Sequence, residues 1–89
     1  MTNLAHVGVN TNGEYQSLAT LSSVTFEQGK TYVLQVMHPC RLCESASTPT
    51  AGGFYINSSQ PIQYTAGSGD LYVQTEVGFK GSCIINIAE

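Results

Sequence analysis

The sequence predicts an all-β protein: one antiparallel β-sandwich or small barrel of about six to eight short strands, occupying residues 1–89 as a single domain. Three observations carry this. Short runs of alternating apolar and polar residues recur at intervals of roughly 8–12 residues, separated by Gly, Asn and Ser. The runs are rich in β-branched and aromatic side chains, which suit a pleated, half-buried surface. Nowhere does a window of about 11 residues carry an apolar i, i+3, i+4, i+7 stripe with helix formers between. At 89 residues the chain has material for one core and not for two.

Residues 4–9 and 18–26 alternate weakly and are the first strand candidates. Between them, NTNGEYQS at 10–17 reads as a polar loop whose Asn12-Gly13 step suits a two-residue hairpin turn. Residues 16–21 have room for one helical turn at most. EQGK at 27–30 is turn-like, and Gly29 supplies positive φ there. In the run that follows, Tyr32, Leu34 and Val36 alternate with Thr31, Val33, Gln35 and Met37. RLCESASTPTAGG at 41–53 is the longest weakly patterned segment, and a loop of that length is usually functional or contact-making. Phe54 and Ile56 then flank Tyr55. Pro61 introduces Ile62 and Tyr64, which marks an edge strand or a strand start because Pro donates no ladder bond. AGSGD at 66–70 is the clearest loop, and Leu71, Val73 and Thr75 alternate after it. VGFKG at 77–81 reads as a hairpin connection to the last run, where Cys83, Ile85 and Ile87 face inward.

Composition excludes several classes of function. Charged residues make up 10% of the chain, against about 25% in an ordinary soluble domain. Ser, Thr, Asn and Gln take their place, since hydrophobic content is 42%. A disordered tail is charged and poor in aliphatics, unlike this chain. Lys30, Arg41 and Lys80 are the whole basic complement, so no nucleic-acid partner is expected. No run approaches the roughly 20 apolar residues of a membrane span, so no membrane partner is expected either. The N-terminus MTNLAHVGVN lacks the basic and apolar regions of a secretory signal, which makes synthesis in a cytoplasm the expectation. Three cysteines, an odd number, argue against a disulfide framework.

The one suggestive cluster is His38-Pro39-Cys40-Arg41-Leu42-Cys43. Cys40 and Cys43 have the spacing of a zinc knuckle, with His38 two residues before and Cys83 as a fourth ligand. A single C-x2-C pair is weak evidence, and Cys83 sits inside a strand, so three structural cysteines are the leading reading and zinc the alternative. A redox role would need a helix N-terminus to depress a thiol pKa, and none follows Cys43. No catalytic constellation stands out. Glu44, Asp70 and Glu76 lack a paired arrangement, and His6 reads as a strand residue. Asp70 is explained by the turn it closes. Gly67-Ser68-Gly69 leads into a strand and carries no Lys, so it is no phosphate loop. The expectation is a protein that is not an enzyme and needs no cofactor. Tyr15, Tyr55 and Tyr72 lie outside the inward parity or in a loop. They are the candidates for an interface, for cross-strand pairing, or for stacking on sugars.

FEQGKTYVLQV at 26–36, CRLCESASTPTAGGFYI at 40–56 and SSQPIQYTAGSGDLYVQT at 58–75 resemble small virion proteins of tailed bacteriophages. In those all-β proteins a GK-T-Y strand precedes a small-residue loop, and a Pro-containing hairpin leads to a closing strand. The resemblance covers about the last two-thirds of the chain and consists of turn and strand grammar. It brings no catalytic residues, and the His38–Cys43 cluster is not part of it. It implies a decoration, neck or tail component residing in the virion, partnered by other virion proteins and working by self-assembly.

Low charge points the same way independently, because Ser, Thr and Asn desolvate at lower cost than Lys or Glu. Edge strands normally carry charge against unwanted pairing, and this chain largely lacks it, as expected of a homo-oligomer. A carbohydrate- or receptor-binding module using the three tyrosines is the alternative, and a zinc-stabilised β domain the third reading.

Overall fold

The computed structural model describes residues 2–77 and 83–89. Among these are eight strands and one short helix: β1 (Asn3–Val9), β2 (Tyr15–Ser17), α1 (Leu18–Ser22), β3 (Thr31–Val36), β4 (Cys40–Ser45), β5 (Phe54–Ile56), β6 (Ile62–Thr65), β7 (Asp70–Thr75) and β8 (Cys83–Ala88). They form two four-stranded antiparallel sheets, ordered β1-β8-β3-β6 and β2-β7-β4-β5. The predicted sandwich is present, as two separate sheets and not as a closed barrel.

The order has a simple origin. β1 pairs with β8, β2 with β7, β3 with β6 and β4 with β5, so the chain is one long hairpin folded at the β4–β5 connection. Rolling that hairpin up adds the β3–β8 and β4–β7 pairs and splits it into two sheets. This is the strand order of a jelly roll.

Parity places the core where the alternation predicts. Tyr32, Leu34 and Val36 of β3 and Cys83, Ile85 and Ile87 of β8 face inward, with Leu34 directly opposite Ile87. Cys40 and Leu42 of β4 and Leu71 and Val73 of β7 meet them from the other sheet. Tyr32 also carries its hydroxyl to the 23–30 segment, accepting from the Glu27 N–H at 2.8 Å and donating to the Thr25 carbonyl at 3.3 Å. Phe26 packs edge-on against the Tyr32 ring at 4.9 Å.

Four expectations need correction, the first being that residues 15–17 are not loop but β2, paired with β7. Residues 18–26 are not a strand. Ser17 caps α1 by accepting from the Thr20 N–H, Ser22 bonds the Leu18 carbonyl, and Ser23 ends the helix in a left-handed conformation. These local serine bonds outcompete a weak alternation. Residues 41–45 are not loop but most of β4, held between β5 and β7. The Asn12-Gly13 turn does form, with φ of 52° and 86°, but it does not close a hairpin between adjacent strands. It carries the chain from β1 in one sheet to β2 in the other. The predicted connection at 77–81 lies, apart from Val77, outside the described residues.

The two sides of the sandwich differ. α1 packs on β1, β2 and β7, and its fully buried Leu18 plugs that side. The opposite side, where the edge strands β5 and β6 face each other, has no such cover among the described residues.

Candidate interaction surface

The cysteine cluster is divided by the pleat. Cys40 and Cys83 are both buried and belong to opposing sheets, where their thiols face each other. The neighbouring Cys83 thiol and burial push the Cys40 thiol up. Cys83 also donates to the His38 carbonyl at 3.3 Å. Cys43, three residues after Cys40 on an extended strand, projects from the opposite face in register with Tyr72. It cannot join His38, Cys40 and Cys83 around one ion. Among the described residues no three His, Cys, Asp or Glu groups converge on a metal position.

Two of the three carboxylates singled out by sequence, Glu44 and Asp70, are also committed. Glu44 Oε1 accepts from the Tyr64 hydroxyl at 2.6 Å and the Gly67 N–H at 2.9 Å, and these bonds hold its pKa below the ordinary glutamate value. Asp70 accepts from the Ser17 hydroxyl at 2.7 Å, tying β7 to β2. His6 stands on β1 and bonds the Asn86 side chain of β8. Asn86 in turn donates to Gln35 at 3.0 Å, and Gln35 donates to the Ser59 carbonyl at 2.9 Å. This ladder lies across a shallow concavity of about 420 Å³ on the outer face of the β1-β8-β3-β6 sheet. Its amides are occupied with one another.

Tyr15, Tyr55 and Tyr72 all lie on the outer face of the other sheet. Tyr15, Gln74, Arg41 and Tyr55 form one cross-strand row, and Ser17, Tyr72 and Cys43 the next. They are not equally available. Tyr15 is only 6% exposed, against the expectation of a surface group, because the 46–53 connection folds over it and its hydroxyl donates to the Gly52 carbonyl. Gly53 permits that approach: at φ 92°, a Cβ would lie 2.5 Å from the Tyr15 hydroxyl and 3.0 Å from the Leu42 carbonyl. Tyr72 is half-buried. Tyr55 alone is open, 53% exposed and lying 5.2 Å from the Arg41 guanidinium.

The feature that sequence parity did not anticipate is beside Tyr55. Phe54 is in register with Leu42, on the core-facing side of its sheet, yet Leu42 is 6% exposed and Phe54 81%. The difference is cover: β5 is a sheet edge, and the opposing edge strand β6 does not reach over it. A mostly apolar groove of about 270 Å³ opens there between the sheets, lined by Leu34, Leu42, Phe54, Ile56 and Leu71, with the Glu44 carboxylate in its wall. The surroundings are unusual in two respects. None of residues 43–65, all of them described, is buried. No Asp, Glu, Lys, Arg or His occurs from 45 to 69. That uncharged stretch was the available sequence signal.

No family model matches the chain, and no curated protein or solved structure shows significant similarity to it.

Proposed function

We propose that this chain is a non-enzymatic structural protein of a tailed-phage virion, a capsid-decoration, neck or tail component that acts by self-assembly and by docking on the particle. The observation that carries the proposal is the β5–β6 side of the sandwich, which is exposed, free of charge from 45 to 69 and crowned by Phe54. Exposed aromatics with few charged neighbours characterise the centre of protein interfaces. Ser, Thr and Gly around them are cheap to desolvate. Glu44 and Asp70 serve the fold through their side-chain bonds, which leaves them no evident catalytic task. Jelly rolls serve as capsid domains and as lectins, so the strand order is compatible with the proposal while the surface supplies the weight.

Light scattering on a sizing column, together with co-sedimentation with purified heads and tails, tests this. Self-association or particle binding is the expected outcome. A protein that is monomeric at all concentrations and ignores both particles refutes it. Tyr55, flat and open beside Arg41, favours carbohydrate binding as the second reading. A glycan array on which wild type and Tyr55→Ala behave alike removes that reading.

A further inference from the structure

β5 (Phe54–Ile56) pairs with β4 along one edge, and among the described residues no strand pairs with the other. Edge strands are commonly blunted by being very short, by Lys, by Pro, by inward charge or by a covering element. The other edges have such devices: Pro61 precedes β6, and α1 packs on β1 and β2. β5 reads Phe-Tyr-Ile; its shortness is its one such device, and among the described residues it has neither charge nor cover. What fits an unpaired strand edge is another strand.

Two further observations select a second copy of this chain as the supplier. Phe54, a projecting apolar side chain, and the groove beside it lie on one patch, so the patch holds both a knob and a hole. A two-fold axis through such a patch sets each knob at the other copy's hole, which is the definition of an isologous contact. A face with a net charge would repel its own copy. Residues 45–69 carry no charge, and the charges beside them, Arg41 and the groove-lining Glu44, are opposite in sign.

We infer that two copies join through antiparallel pairing of β5 with β5, across a two-fold axis at Tyr55. The inference rests on the assembly reading above and names the partner and the surface. In this register Tyr55 stands opposite Tyr55 of the other copy on the outer face. Phe54 stands opposite Ile56 of the other copy on the core-facing side, where it covers that copy's groove. The two β2-β7-β4-β5 sheets become one of eight strands.

The test uses the full chain. Light scattering is expected to give twice the 9.5 kDa chain mass for wild type. Phe54→Ser is expected to weaken dimerisation at least tenfold with an unchanged far-ultraviolet circular dichroism spectrum, since Phe54 is exposed and the fold does not rest on it. A second variant reads the register. With Cys43→Ser as background, Tyr55→Cys is expected to form an interchain disulfide on treatment with oxidised glutathione, each disulfide releasing two reduced glutathiones. Gln16→Cys, at the exposed position of β2, is expected not to. A dimer unaffected by Phe54→Ser, or one that Tyr55→Cys fails to cross-link, overturns this inference and leaves the assembly reading standing. So does a monomer that still binds particles. A monomer that binds no particle overturns both.

Discussion

Thr75→Val tests whether the corner between the two sheets is held by hydrogen bonds or by packing. β2 is three residues long, so β7 continues past its end, and the groups left over at Thr75 must find other partners. Thr11, just after β1, supplies them. The Thr11 hydroxyl accepts from the Thr75 N–H at 2.8 Å, and the Thr75 hydroxyl accepts from the Thr11 N–H at 2.9 Å. Both residues are 2% exposed, so water does not replace either bond. Valine has threonine's shape, and the substitution opens no cavity. It removes the acceptor for the Thr11 N–H and leaves a buried donor unpaired, which costs about 1–3 kcal/mol. A domain of this size is stable by only about 4–13 kcal/mol, so the loss is a substantial share. At 4–8 °C per kcal/mol, a loss near 2 kcal/mol lowers Tm by roughly 8–16 °C. Thr75→Ser keeps the hydroxyl and loses one methyl, worth about 0.8 kcal/mol. Urea unfolding at constant m-value gives both numbers. If Thr75→Ser is less stable than Thr75→Val, packing holds the corner and the reasoning is wrong.

Other predictions follow from single contacts. Tyr32→Phe removes the hydroxyl that fastens the 23–30 segment, with an expected loss of about 0.5–1.5 kcal/mol and faster amide exchange at Glu27. Gly53→Ala places a Cβ in a left-handed conformation, costing about 1–2 kcal/mol, and against the Leu42 carbonyl and Tyr15 hydroxyl. It should lower Tm and expose the Tyr15 ring to solvent perturbation. Glu44 has a folded pKa below its unfolded value, so its contribution is present above the ordinary glutamate pKa of about 4.3 and disappears as pH falls through the lower folded value. Glu44→Gln is therefore expected to flatten the acid limb of the stability–pH curve. An unchanged limb would show that the Tyr64 and Gly67 bonds do not favour the ionised form.

Alternation was enough to find β3, β7 and β8 and their inward residues, because a buried strand face must be apolar at every second position. Pro61 likewise marked β6 as an edge. The short elements were less legible. α1 depends on Ser17, Ser22 and Ser23, whose bonds to nearby backbone compete with extended structure and leave no periodic trace. β4 was obscured because Arg41 and Cys43 point outward and only Cys40 and Leu42 face the core.

By itself, the sequence determined the all-β class, the parity of the long strands, and the scarcity of charge, since each is a property of composition or of neighbours two residues apart. Tertiary structure decided what depends on elements distant along the chain. Pairing β1 with β8 and β4 with β5 made a jelly roll. The pleat separated Cys43 from Cys40 and Cys83, and the 46–53 connection buried Tyr15. Phe54 shows the difference most sharply. Local pattern put it on the core side of its strand, which is correct, but burial requires an opposing surface. At the edge of this sandwich the chain does not supply one.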